Sequence, residues 1–315
     1  MSASNNAAPA DTIRLLVGFS RVSASNIVAE IIRPALSLAL GQSVNIITLP
    51  GENGARAAEQ TAQAAPDGRT LCIAVPTHVM GAWFDAIPRY DLLRDFTAVG
   101  MIAKNPLVLA VSNQLGVSSI DELIALARAQ PGQQVYGASA AGGGPHLAAL
   151  LFCSMAGVRM RMRVYAETHV LYEDLHAGRI ALTFNNTMSA LPLAAQGKLT
   201  LLGSTSPARD AALGIPSIAE TALPRYTYES WVGVLAPRDT PASMVQRLSE
   251  ALQSVVQEPH VRQQLMTLGM TPTPGTPDGF AHHLRTEQAR WSAFVQSHID
   301  EFPRIAGNFA RKEAT

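Results

Sequence analysis

The sequence predicts an α/β protein in which strands and helices alternate along nearly the whole chain. Short apolar runs recur, each followed by a stretch whose apolar residues return every three or four positions. Clusters of Gly, Pro, Asn, Asp and Ser separate them, as expected of turns. The 315 residues are 47% hydrophobic and only 15% charged, enough apolar side chain for about two domains of ordinary size. Alternation of this kind implies mostly parallel sheets with helices as the crossovers.

The first element pair is the clearest. Ile13–Phe19 reads as a strand and Ser20-Arg21-Val22-Ser23-Ala24-Ser25-Asn26 as a polar loop. A helix then runs to about Leu40, with Ile27, Val28, Ile31, Ile32, Ala35, Leu36, Ala39 and Leu40 on one side. Ser23 and Ser25 are candidate N-caps. Pro34 is expected to kink this helix or to end its first part. A strand that turns directly into a helix aims unpaired backbone N–H groups and the positive end of the helix dipole at one point, which favours an anion. An ordinary capped loop that binds nothing has the same signature.

Val44–Leu49 reads as a strand, 55–64 as a helix and Thr70–Val75 as a strand entered through Pro66-Asp67-Gly68. Pro106–Val111 is a strand and Ile120–Ala129 a helix, capped by Ser118 or Ser119. Gln134–Ala138 (strand), Pro145–Met155 (helix), Met160–Val164 (strand), Val170–Ala177 (helix), Ile180–Phe184 (strand), a short helix to Gln196 and Leu199–Gly203 (strand) continue the alternation. After a proline-punctuated loop, Tyr228–Leu235 is strand-like. Helices over about Ala242–Gln257, His260–Leu268 and Pro277–Val295 finish the chain, with a polar tail after Phe302. No solenoid period is visible.

Lys plus Arg equals Asp plus Glu, 24 against 24, so no global basic field points to nucleic acid. No apolar run approaches the roughly 18 residues of a membrane span. The first ten residues, Met1 to Ala10, lack the basic and apolar segments of a secretory signal. Cys72 and Cys153 make neither a metal cluster nor a disulfide framework, and Cys72 in Leu71-Cys72-Ile73-Ala74-Val75 reads as a buried inert thiol. Arg159-Met160-Arg161-Met162-Arg163-Val164 alternates cationic and apolar residues, either as a carboxylate clamp or as a strand edge protected by charge. His146 follows Gly142-Gly143-Gly144-Pro145 at the start of a helix. It belongs either to an anion site or to a local bond with a backbone carbonyl. No nucleophile elbow, His-Glu-x-x-His, P-loop or Cys-x-x-Cys is present, and neither a metal nor a cofactor is expected.

Several further stretches occur in a telling order. They are Leu49-Pro50-Gly51-Glu52-Asn53-Gly54, Ala65-Pro66-Asp67-Gly68-Arg69-Thr70-Leu71 and Tyr90-Asp91-Leu92-Leu93-Arg94-Asp95-Phe96. Asp121-Glu122-Leu123-Ile124, Pro131-Gly132, His146-Leu147-Ala148, Phe184-Asn185-Asn186 and Ser230-Trp231-Val232-Gly233-Val234-Leu235-Ala236-Pro237 follow. With these motifs the chain resembles the receptors of tripartite tricarboxylate transporters, the Bug family of periplasmic solute-binding proteins, from about Ile13 to about Ser297.

The resemblance implies a two-lobed, periplasmic-binding-protein-like (Venus flytrap) fold with two crossovers and a ligand cleft between the lobes. Residues 11–110 plus 232–315 would form lobe 1 and residues 111–231 lobe 2. By position, the implied ligand contacts in the first lobe are Phe19, Ser20, Arg21, Ser23, Ala24, Ser25, Asn26, Thr77 and His78. In the second they are Gly143, Gly144, His146, Tyr165, Thr168 and Asn185.

The chain departs from the family's pattern in the first loop, where Pro-Pro-Gly-Gly-Gly-Thr-Asp is replaced by Ser20-Arg21-Val22-Ser23-Ala24-Ser25-Asn26. The glycines are gone, so φ > 0 is not expected there. A carboxylate has become the amide of Asn26, which weakens the case for an amino acid as ligand. Tyr-Lys-Gly has become Tyr165-Ala166-Glu167, and a later Asp has become Ala181.

The implied function is an extracytoplasmic receptor that captures a small organic carboxylate, dicarboxylic or aromatic among the options, by hinge closure. It would serve a membrane permease as a monomer. Arg21 is either a bidentate partner for the carboxylate or a solvent-facing charge. The alternatives are a ligand sensor that feeds a sensor kinase, and a cleft enzyme using His146 and His78 with Glu167. Periplasmic placement follows from the resemblance; the cytoplasm is the alternative for a chain without a leader.

Overall fold

The computed structural model describes residues 12–84, 89–139, 141–209, 214–221 and 223–297. The N-terminal stretch and the tail after Phe302 lie outside them. In chain order the strands and longer helices are β1 (Thr12–Val17), α1 (Ala24–Leu40), β2 (Ser43–Thr48), α2 (Ala55–Ala62), β3 (Thr70–Ala74), α3 (Pro76–Phe84) and β4 (Phe96–Val111). Then come α4 (Ile120–Ala129), β5 (Val135–Ala138), α5 (Gly144–Ala156), β6 (Arg161–Val164), α6 (Thr168–His176), β7 (Leu182–Asn186), α7 (Thr187–Ala195) and β8 (Thr200–Ser204). The last are β9 (Glu229–Pro237), α8 (Ala242–Gln257), α9 (Pro259–Thr267), β10 (Thr271–Pro272) and α10 (Pro277–Ser297).

The chain divides into two units. Of the described residues, unit 1 holds those up to Ala103, Trp231–Leu265 and those from Pro272; unit 2 holds those of Lys104–Ser230 and Met266–Thr271.

In unit 1, β1 lies between β2 and β3 and is parallel to both, with Thr12 opposite Ser43 and Arg14 opposite Thr70. Strand β9 closes the far side of β3 in antiparallel register, Cys72 opposite Leu235. Unit 2 repeats this order. Strand β5 lies between β6 and β7, parallel to both, with Val135 opposite Arg161 and Tyr136 opposite Leu182. Strand β4 runs antiparallel along β7, Leu107 opposite Asn186, and β8 pairs with its other edge. The sheets are therefore parallel at their centres and mixed overall.

Several motifs of the sequence are turn and packing devices. Gly233 lies under the Phe280 ring, where a Cβ would come 2.2 Å from Cζ, while Trp231 meets the same ring edge-on at 5.5 Å. Residues two apart on a strand share a face, so Ser-Trp-x-Gly builds a large–small pair for one aromatic. Gly68 has φ +77° and packs on Met244, and Asp67 Oδ1 accepts the Arg69 N–H at 2.9 Å. Asp91 accepts the N–H groups of Leu93 and Arg94, both at 3.0 Å, and its own N–H donates to Asp95 at 2.7 Å. In unit 2 the rings of Phe152, Phe184 and Tyr226 form the centre of the core, 5.8–6.3 Å apart.

Three expectations are corrected. Helix α1 runs unbroken through Pro34. Pro34 and Glu30 both lie on the exposed face, so the Glu30 carbonyl deprived of its N–H is left to solvent at little cost. The strand predicted from Pro106 begins at Phe96, because the chain stays extended through Gly100 and Pro106. The segment after β3, where the sequence reading places a ligand loop with Thr77 and His78 and no helix, is helix α3, with Pro76 at its first position, where a missing N–H costs nothing.

Gly18 fixes the spacing of two loops. A Cβ there would lie 2.4 Å from the Gly54 Cα and 2.9 Å from its carbonyl oxygen, so the two backbones touch directly. Gly18→Ala is expected to cost about 1–3 kcal/mol by overpacking and to lower the thermal unfolding midpoint by several degrees. A midpoint equal to that of the wild type would show that the contact is not made.

Candidate functional site

Parallel strands deliver the chain to the same edge of a sheet, so the helices that follow them all begin there. In unit 1 that edge gathers the turns before α1, α2 and α3; in unit 2 it gathers those before α5, α6 and α7. Each helix start carries N–H groups with no carbonyl partner inside the helix.

The first turn of unit 1 is compact. Ser23 N–H donates to the Ser20 carbonyl at 2.9 Å, leaving Arg21 and Val22 exposed at the tip. Ser23 caps α1 by accepting the Asn26 N–H at 3.2 Å, and its hydroxyl lies 3.1 Å from that of Ser25. Ala24 and Ser25 open the helix, and no residue of 20–26 has positive φ. Asn26 is buried, and its Nδ2 donates to Thr48 Oγ1 at 3.0 Å, tying the start of α1 to the end of β2. The amide therefore has a positioning task inside the unit. Phe19 is half-buried and meets the His78 ring edge-on at 6.1 Å.

The second turn was not among the sequence candidates, yet it reaches the same edge. Gly51, Glu52, Asn53 and Gly54 all have positive φ, at 120°, 51°, 52° and 91°. Left-handed conformation costs a non-glycine residue about 1–2 kcal/mol, and here it falls on Glu52 and Asn53. The Pro-Gly-x-Asn-Gly run between β2 and α2 was the available signal.

Thr77 and His78 lie in the first turn of α3, and both are buried. His78 Nδ1 lies 3.1 Å from the Val75 amide nitrogen and 3.2 Å from its carbonyl oxygen, so the ring bonds the Val75 backbone in either tautomer. Among the described residues Thr77 Oγ1 has no hydrogen-bond partner, and His78 Nε2 lies against the Gly54 backbone. Burial pushes the His78 pKa down to about 4, against the smaller upward pull of Val75 and Gly54.

In unit 2, Gly142 is left-handed at φ +76° and donates its N–H to His146 Nδ1 at 2.9 Å. The expected local bond thus exists, but with an amide donor rather than a carbonyl. His146 is buried, stacks on Tyr136 at 6.3 Å, and is pushed down to about 4 by desolvation. Gly143 caps α5, and Gly144 packs against Tyr228, where a Cβ would come 3.2 Å from the hydroxyl. Thr168 opens α6 and is exposed. Asn185 is the penultimate residue of β7, buried, with Oδ1 accepting the Asn186 N–H at 2.9 Å.

Tyr165 is committed within its own unit. Its N–H donates to the Ala138 carbonyl at 2.9 Å, and its hydroxyl donates to Asp174 at 2.6 Å. Arg163 and Arg179 flank the same carboxylate at 3.0 and 2.6 Å, and Arg163 also lies 5.2 Å over the Tyr165 ring. The Tyr165 hydroxyl, with Arg179 and Arg163, holds Asp174 below the usual carboxylate range. Burial, then Asp174, pushes Tyr165 up to about 12. Arg163 is therefore paired internally and makes no clamp. Strand β6 is a sheet edge with Arg161 and Arg163 exposed, as charge protection of an edge requires. The expected apolar face is incomplete, because Val164 is exposed.

Cys72 is buried and pushed up to about 12, consistent with an inert thiol. Among the described residues no group of three or more His, Cys, Asp or Glu could hold a metal, and no helix is long and apolar enough to cross a membrane.

Both histidines carry a consequence for acid stability. Their folded pKa values lie below the unfolded value near 6.5, so the unfolded chain takes up protons first. The stability each contributes is complete above about pH 6.5 and is lost as pH falls towards 4; each histidine accounts for roughly 3 kcal/mol. His146→Asn keeps an acceptor for Gly142 but cannot titrate. It is expected to flatten the fall in unfolding midpoint between pH 6.5 and 4, and an unchanged slope would show that His146 is not neutral in the folded protein.

Known proteins place this arrangement. A family model described as the tripartite tricarboxylate transporter family receptor matches residues 28–299. Protein BugT of Bordetella pertussis is 28% identical over 291 residues, covering 91% of this chain and 89% of that protein. A protein from the tcbD–tcbE intergenic region of Pseudomonas sp. strain P51 is 30% identical, covering 92% and 87%. Among solved structures, R. palustris Rpa4515 with adipate matches with a TM-score of 0.82 and 33% identity over 91% of this chain and 97% of its own. MatC from Rhodopseudomonas palustris with bound malate matches with a TM-score of 0.80 and 25% identity over 91% and 99%. The chain belongs to the tripartite tricarboxylate transporter receptor family and is a solute-binding receptor, not an enzyme.

Proposed function

We propose that this receptor captures a small organic carboxylate with the helix-start donors of both units and hands it to the permease of a tripartite transporter. One observation carries the reading: each unit brings three helix N-termini to one edge of three parallel strands. Six such starts supply amide donors and dipole ends that favour a carboxylate. In unit 1 the amides of Ala24 and Ser25, the hydroxyls of Ser20 and Thr77 and the guanidinium of Arg21 are the proposed contacts. In unit 2 they are the amides at Gly143 and Gly144 and the side chains of Thr168 and Asn185.

Asn26, His78, His146 and Tyr165 are assigned to holding these turns in place, because each bonds a partner inside its own unit through at least one polar atom. The solved relatives named above carry adipate and malate, which supports the carboxylate class. Receptors of this family are periplasmic, and we place this chain there.

The test is calorimetric titration against a panel of mono- and dicarboxylates. At least one acid is expected to bind, with about tenfold weaker affinity in Arg21→Ala, the size of one lost charge-assisted contact. Equal binding by the variant would remove Arg21 from the site. Failure of every carboxylate to bind the wild type would overturn the proposed solute class.

A further inference from the structure

We infer that Asn53 is a self-modifying residue: its conversion to aspartate or isoaspartate is held off by the packing of the second turn and proceeds only when that turn opens. The chain contains one Asn-Gly pair, Asn53-Gly54, and it falls between β2 and α2. Glycine has no Cβ, so its backbone nitrogen is the least hindered nucleophile for a neighbouring side-chain amide. The step needs water alone. The Gly54 nitrogen loses its proton to hydroxide and bonds to Asn53 Cγ. The Cγ–Nδ2 bond breaks, and ammonia leaves on taking a proton from water. Water then opens the five-membered succinimide at either carbonyl. The product is aspartate or, with one more methylene in the main chain, isoaspartate.

The native turn opposes ring closure in three ways. Asn53 stands at φ 52° and ψ 28°, so its own nitrogen, not its Cβ, faces the Gly54 nitrogen. Ring closure needs Cβ there, which demands a large rotation about the Cα–C bond. The Gly54 N–H donates to the Gly51 carbonyl at 3.0 Å, so the proton that must leave is engaged. Gly54 is also buried and hemmed in. A Cβ on it would come 2.9 Å from His78 Nε2 and 3.0 Å from the Phe19 ring, and its Cα lies against Gly18. The rotation therefore breaks the turn's contacts before the new bond can form.

Strain pulls the other way. Glu52 and Asn53 both hold a left-handed backbone that side chains disfavour, so opening relieves it. Packing against Gly18, Phe19 and His78 is what keeps the turn shut. Conversion would also be hard to reverse in its effects. A neutral amide becomes a carboxylate next to Glu52, and isoaspartate lengthens the main chain where Gly18 and Gly54 touch backbone to backbone.

The experiment incubates the protein in mildly alkaline buffer, native and in urea, and follows Asn53 by peptide mass spectrometry and isoaspartate detection. Urea is expected to speed conversion about tenfold or more, the factor by which local closure protects the site. Folded Gly18→Ala is expected to convert several-fold faster than the folded wild type and at the same rate in urea. Phe19→Ala, which removes a wall without adding an atom, replaces it if circular dichroism shows that Gly18→Ala does not fold. A folded wild type that converts as fast as the unfolded chain, a folded variant no faster than the wild type, or no conversion in urea overturns the inference.

Discussion

A parallel strand pair cannot be closed by a tight turn, and the chain must travel back along the sheet before it pairs again. In this protein that constraint acts twice. Strands β1, β2 and β3 and strands β5, β6 and β7 each form a parallel group of three, and every return path is a helix. The polar ends of those helices are thereby forced together at one edge, whatever side chains line it. The hydrogen-bond donors each unit presents at that edge are thus largely backbone groups, placed by topology. Side chains then adjust it, by capping as at Ser23 or by bracing as at Asn26 and His146.

The bracing residues share one feature. Each buries a polar group and satisfies it within the same unit: Asn26 on Thr48, His146 on Gly142, Tyr165 on Asp174. A buried polar group left unpaired costs about 1–3 kcal/mol, so each pairing strongly selects one placement of its turn. The result is a set of preorganised donors, which spares the solute the cost of ordering them. The two histidines reach the same end by giving up their charge, so neither adds a fixed positive group to these edges.

Much of the fold was legible in the sequence because it rests on local periodicity. The helices at Ala24–Leu40 and Ala242–Gln257 and the strands around Thr70 and Val135 follow from apolar spacing alone. Helix α3 was not legible, since Pro76-Thr77-His78-Val79-Met80-Gly81 has no polar face to set against an apolar one. The first half of β4 was hidden by Gly100, Lys104 and Asn105, which interrupt its apolar run. The turns that carry the proposed site could be found by position, but the duty of each residue could not. Whether Asn26 faces a solute or Thr48 depends on a contact across 22 residues of chain, and Tyr165 meets Asp174 only because α6 folds back on β6. The second turn escaped notice because its character lies in four consecutive positive-φ residues rather than in a reactive side chain.

The contact between Gly18 and Gly54 separates placement from recognition. Because backbone meets backbone there, the distance between the first two turns does not depend on the residues that follow Gly18. The stretch from Ser20 to Ser25 is therefore free to exchange its chemistry without moving its frame. On the proposed assignment, a receptor built this way changes its solute by rewriting one short turn. The same logic offers the turn as a cassette: grafted between an unaltered Gly18 and Asn26, a different sequence inherits the position and brings only its own selectivity.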